Sequence, residues 1–188
     1  MGTMTLRVLM VCTGNICRST MAQEVLSEQV AADRLDVLVD SAGISDEEHG
    51  NPIDPRAARV LREAGHRVPD HRARQVRAAE LGSWDLVLAM TRQHLMALER
   101  LARRAGVDVE VDPPVGDHTV VDLRMFRSFD PRATGSARVP EAPDPWSGSA
   151  LDVPDPWYGD HRDFEETLEV VERVTPALVD HLRARLAP

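Results

Sequence analysis

The stretch that most constrains the fold is residues 6–30. An apolar run, Leu6 to Val11, leads directly into the loop "CTGNICR", and from Ser19 the apolar positions Met21, Ala22, Val25, Leu26 and Val30 recur at helical spacing. The order is strand, tight loop, helix, and it repeats. "LDVLVDSAG" reads as a second strand, and "DPRAARVLREAG" as a helix with Asp54 as N-cap, Pro55 in its first turn and Gly65 past its end. "WDLVLAM" reads as a third strand, "RQHLMALERLARRAG" as a helix stopped by Gly106, and "TVVDL" as a weak fourth strand. A last helix carries the stripe Phe164, Leu168, Val171, Val174, Leu178 and Leu182, and Pro176 is expected to kink or split it. Alternating strands and helices predict an α/β protein: an open, mainly parallel four-stranded sheet flanked by helices on both faces. Ligands of such sheets bind beyond the strand C-terminal ends, where Cys12 falls.

With 188 residues the chain reads as one domain, 1–188, interrupted by a proline- and glycine-rich stretch between about 130 and 160 that reads as a long loop. The net charge of -9 lacks the basic footprint of a nucleic-acid binder. No apolar run approaches the roughly 20 residues that span a bilayer. The N-terminus reads as a first strand rather than a signal peptide. The chain holds 2 cysteines, Cys12 and Cys17, both in one loop, which is no disulfide framework of the secreted kind. A cytoplasmic setting is expected, with signal-less secretion left open.

The loop has a chemistry of its own. Successive backbone N–H groups followed by a helix N-terminus form an anion-binding concavity. Gly14 and Asn15 are residue types that tolerate the left-handed backbone such a nest needs. Arg18 adds a planar fork for two oxygens of a phosphate or similar oxyanion. Cys12 at the base would feel those dipoles, the helix and Arg18, all of which favour thiolate over thiol. A thiolate under a bound phosphate is a nucleophile aimed at phosphorus. A metal site would need further ligands that the cysteine count does not supply, so no metal or cofactor is expected.

The C-x5-R-S pattern in "VCTGNICRST" resembles the signature of the low-molecular-weight protein tyrosine phosphatases. "DSAGIS", "GNPIDPR", "HRARQ", "WDLVLAM", "RSFDP" and "DVPDPWYGD" continue the resemblance in the family's order over most of the chain. It implies a phosphatase whose phosphate-binding loop comprises Thr13, Gly14, Asn15, Ile16, Cys17 and Arg18. Cys12 would be the nucleophile, Arg18 the stabiliser of the phosphoryl oxygens, and Asp155 the general acid. Asn15, Ser19, Ser41 and His71 match loop-bracing positions, and Cys17 matches a cysteine that can trap the nucleophile as a disulfide. The implied partner is a phosphotyrosine-containing protein.

Departures also matter. Thr20 replaces a proline common in the family. Glu47 stands where the family tends to carry an aromatic cleft wall, leaving Trp157 and Tyr158 as candidate walls. "PDPW" occurs twice, so Asp144 competes with Asp155 for the acid role. The second copy continues into "YGD" and the last helix, which favours Asp155 and reads 133–150 as an insertion. Protein arginine phosphatases, which carry threonine where Ile16 stands, are the nearest alternative. Arsenate reductases need downstream cysteines that this chain lacks, and a non-catalytic phosphate-binding or redox-sensing module is the third alternative.

Overall fold

The computed structural model describes residues 5–114, 119–133 and 149–187. Strand β1 (Leu6–Cys12) is followed by α1 (Arg18–Ala32), β2 (Val37–Gly43), α2 (Pro55–Glu63), the short α3 (Ala78–Leu81), β3 (Leu86–Ala89), α4 (Arg92–Ala105), β4 (Asp108–Glu110), β5 (Val120–Met125), a 3-10 turn (Phe126–Phe129) and α5 (His161–Leu186). The sheet has the order β2-β1-β3-β5-β4, and every pairing is parallel. The expected four strands are therefore five. The additional one, β4, has three residues of which two are acidic, and only its pairing with β5 makes it a strand.

β1 lies inside the sheet and is covered on both faces, so its alternation sorts two cores. Val8, Met10 and Cys12 join the residues of α1, α2 and α5, whereas Leu9 and Val11 join those of α4. From β1 the chain moves to β2 on one side and then to β3 on the other. The C-terminal end of β1 is therefore the topological switch point, where open α/β sheets hold ligands.

Helix α5 runs through Pro176 as one continuous helix, so the proline does not split it. Val171, Val174, Leu178 and Val179, on both sides of the proline, are buried, and this shared packing outweighs the hydrogen bond that proline removes. Asp54 caps α2 by accepting from the Arg56 N–H, and Gly106 ends α4 in the left-handed conformation, as the sequence pattern predicts. Among the described residues no helix is long and apolar enough to cross a membrane.

Candidate active site

The loop after β1 is braced from three directions. Gly43, at the end of β2, passes so close that a β-carbon there would sit 2.5 Å from the Thr13 carbonyl oxygen, which only glycine permits. Just beyond it, Ile44 and Ser45 donate their N–H groups to the carbonyls of Cys12 and Thr13. Asn15 takes the left-handed backbone (φ 60°). Gly14, expected to share that role, is not among the glycines of positive φ; its importance is space, since a β-carbon would meet Glu48 at 2.9 Å.

Asn15 is buried and every polar atom of its side chain is used. Its Nδ2 donates to Ser19 Oγ at 3.0 Å and to Ser41 Oγ at 2.8 Å, while its Oδ1 accepts from the Arg74 N–H at 3.0 Å. Its carbonyl accepts from His71 Nε2 and from Thr20 Oγ1. Thr20 thus supplies by hydrogen bond some of the rigidity that a proline would have supplied by its ring. Burial pushes the His71 imidazole below its ordinary value, against the Asn15 carbonyl that favours its charged form. A neutral imidazole still donates the Nε2 proton that this contact needs.

Cys12 Sγ lies at the base, 3.3 Å from the donating Asn15 N–H and 3.0 Å from Ser19 Oγ. Helix α1 begins here with Cys17 as its N-cap and no side-chain cap, unlike α2, α4 and α5. Its first N–H groups therefore remain to serve an anion at the loop. Cys12 and Cys17 are both free thiols. Burial, then the nearby Asp54 carboxylate, pushes the Cys17 thiol far up, which makes it a poor nucleophile.

Arg18 is nearly buried and donates to Asp155 Oδ2 at 2.9 Å, while the Trp157 N–H donates to Asp155 Oδ1 at 3.1 Å. The segment carrying Asp155 is fastened at several points. Val153 donates to the Met90 carbonyl, Asp152 accepts from the Arg92 N–H, and Thr167 Oγ1 reaches the Pro154 carbonyl. Arg127 donates to Asp130 Oδ2 and to the Asp152 carbonyl, so one guanidinium joins both ends of the long loop. Asp144 and the first "DPW" lie outside the described residues, as does most of 133–150.

A cleft of about 240 Å³ opens over the loop, lined by Cys12, Arg18, Asp155, Glu47, Trp157 and Tyr158 together with Thr13, Gly14, Ile16, Cys17 and Glu48. Tyr158 is 96% exposed, so its ring stands free at the rim, whereas the Trp157 ring, 39% exposed, lies under the Arg56 guanidinium. Apart from Asp144, the site residues named from the sequence fall in the cleft or in the bracing beneath it.

Arg56 and His94 were not legible as site residues in the sequence. Arg56 grips the Asp155 segment through the carbonyls of Trp157 and Gly159, stacks over Phe164, and is itself held by Asp54. His94, buried at the start of α4, places Nε2 2.9 Å from Thr13 Oγ1, and burial together with Arg18 pushes it down to about 3, so it stays neutral. Among the described residues, two side-chain groups have a geometry that could hold a metal, Glu63–His161–Glu165 and Asp112–Asp122–His181. Neither includes a cleft residue, and Arg59 and Arg124 already engage their carboxylates.

A cysteine beneath an N–H-lined loop at the switch point of a parallel sheet, with an arginine fork and a facing aspartate, defines a cysteine-dependent phosphatase. Comparison with known proteins gives the family. The profile of the low molecular weight phosphotyrosine protein phosphatases matches residues 7–187. The chain is 42% identical over 185 residues to low molecular weight protein-tyrosine phosphatase A of Mycobacterium tuberculosis, covering 97% of this chain and 94% of that protein. It is 38% identical over 186 residues to a low molecular weight protein-tyrosine-phosphatase of Streptomyces coelicolor, covering 97% of each. Among solved structures, YfkJ from Bacillus subtilis superposes with a TM-score of 0.72 at 26% identity over 96% of each chain. The chain belongs to the low molecular weight phosphotyrosine protein phosphatase family, and its enzyme class is that of the protein-tyrosine phosphatases.

Proposed function

We propose that Cys12 is the nucleophile, Arg18 the phosphoryl anchor and Asp155 the general acid in hydrolysis of phosphotyrosine on protein substrates. The Cys12 sulfur attacks phosphorus in line with the leaving oxygen. The phosphorus–oxygen bond breaks, Asp155 gives its proton to the departing phenol oxygen, and a phosphocysteine remains. Water then attacks that phosphorus, Asp155 takes the water's proton, and inorganic phosphate leaves the restored thiolate. Arg18 and the loop N–H groups hold the equatorial oxygens throughout. A phosphate seated in the loop competes with Asp155 for the Arg18 fork and so frees the carboxyl to face the leaving oxygen.

The observation that carries this reading is the bond between Arg18 and Asp155 in the cleft whose floor is Cys12. Ile16, whose apolar side chain lines the cleft, supports phosphotyrosine over phosphoarginine. The whole chain is read as one catalytic domain with 133–150 as an insertion, and the cytoplasm as its place of action, where both thiols stay reduced. Cys17 is read as the thiol that traps an oxidised Cys12. The test is turnover of phosphotyrosine, phosphoserine and phosphoarginine peptides with chelator present; preference for phosphotyrosine is expected, and preference for phosphoarginine would reject the substrate reading.

A further inference from the structure

Beyond Asn15 the bracing continues one residue further, to Gln23 on α1. We propose that Gln23 is a positioning residue that fixes the direction of a hydrogen-bond chain ending on Cys12 Sγ. This rests on the reading of Cys12 as nucleophile.

The direction follows from which groups can only donate. The backbone N–H of Arg74 is a donor, so the Asn15 atom facing it at 3.0 Å is Oδ1 and the amide cannot be reversed. Both protons of Asn15 Nδ2 then go to the hydroxyl oxygens of Ser19 and Ser41. Each hydroxyl has become an acceptor and must send its own proton elsewhere. Ser41 lies 2.5 Å from Gln23 Oε1, at the short end of the O–H···O range and below that of N–H···O contacts. With the Gln23 amide reversed, Ser41 would face two donors and its own proton would lose this acceptor. Gln23 thus takes the Ser41 proton and leaves a Ser41 lone pair for Asn15. Ser19, accepting from the same Nδ2, keeps its own proton free to donate to Cys12 Sγ, 3.0 Å away, once that sulfur is a thiolate. A hydrogen bond donated to sulfur favours the thiolate.

With Gln23 replaced by leucine, the Ser41 proton loses its acceptor and competes for Asn15, which loosens the orientation of the amide that serves Ser19. The experiment is Cys12 alkylation by iodoacetate as a function of pH, alongside kcat and KM, for Gln23→Leu and Gln23→Glu, each alone and combined with Ser41→Ala. For Gln23→Leu the half-plateau pH of alkylation is expected to rise and kcat to fall by about 2- to 10-fold, the range of one hydrogen bond, with KM little changed. Gln23→Glu keeps an acceptor and should stay close to the parent. In the Ser41→Ala background Gln23→Leu should add nothing, because Gln23 acts only through Ser41. An unmoved pH profile in Gln23→Leu, a full additional loss in the Ser41→Ala background, or a Gln23→Glu as impaired as Gln23→Leu overturns the proposal. If Gln23→Leu does not fold, Gln23→Glu and its double variant decide alone: a profile shifted in Gln23→Glu overturns it, and a parental one supports it. Turnover retained by Cys12→Ser instead rejects the nucleophile reading itself, which separates the two failures.

Discussion

Asp155 is held by both of its oxygens: Arg18 donates to Oδ2 at 2.9 Å and the Trp157 N–H to Oδ1 at 3.1 Å. The carboxyl is therefore held at the cleft before any substrate arrives, and one of these two bonds comes from the residue that would anchor the phosphate and so release it. Asp155→Asn is expected to lower kcat on phosphotyrosine by about 10²-fold or more, and far less on an activated aryl phosphate that needs no protonated leaving group. Asp144→Asn is expected to stay within about threefold of the parent, well below the loss of a general acid. The reverse pattern in steady-state kinetics would give the acid role to the first "PDPW".

Arg56 fastens the same segment from α2 through the carbonyls of Trp157 and Gly159. Arg56→Met retains much of the bulk over Phe164 and removes the donors. Its kcat on phosphotyrosine is expected to fall by about 10-fold, the worth of hydrogen bonds to a charged group, with a smaller loss on an activated aryl phosphate. An equal loss on both substrates would mean that Arg56 serves the loop or the stability of α2 instead of the acid.

Glu47 and Glu48 both line the cleft whose other rim is Trp157 and Tyr158. A carboxylate at this rim repels acidic residues flanking a phosphotyrosine. Glu47→Tyr should lower KM by about 2- to 5-fold more for acidic-flanked than for basic-flanked peptides, in keeping with one exposed charge contact. The same gain for both peptides would leave only the added aromatic surface as the cause.

His66 joins α1 to α5, with Nδ1 2.6 Å from Glu28 and Nε2 3.0 Å from Glu172. Burial alone disfavours the imidazolium, but the hydrogen bonds and charges of the two glutamates outweigh it and raise the value above the ordinary one. A raised folded-state value gives stability that is fully present below the unfolded value of about 6.5 and is lost as pH rises through the folded value. Glu28 is shifted downward, so its share persists until the solution is distinctly acidic. Denaturant melts of the parent and His66→Gln should differ by about 1 kcal/mol or less near pH 6, with the gap closing as pH rises. A gap that widens with pH would contradict the sign.

How far the sequence could be read depended on how local each signal was. The β1–loop–α1 unit was legible because an apolar run, a change of period and Cys12 to Arg18 lie within one short stretch. β4 was not, since Asp108–Glu110 has no strand pattern of its own and exists through its partner β5. That Pro176 would not split α5 was not legible, because its cost is local, whereas the packing that keeps α5 continuous is tertiary. Arg56, His94 and Gln23 were illegible for the same reason. Arg56 meets the Asp155 segment only across the fold, and His94 and Gln23 meet Thr13 and Ser41 only where separate elements converge.

The most direct test of the mechanism is to trap its intermediate. Rapid acid quench of Asp155→Asn during turnover of a phosphotyrosine peptide, followed by mass spectrometry of the fragment containing residues 8–18, should find one phosphoryl group on Cys12 and none on Cys17. Cys12→Ser should yield no such species and no turnover. A phosphoryl group on any other residue, or turnover that survives in Cys12→Ser, would contradict Cys12 as the nucleophile.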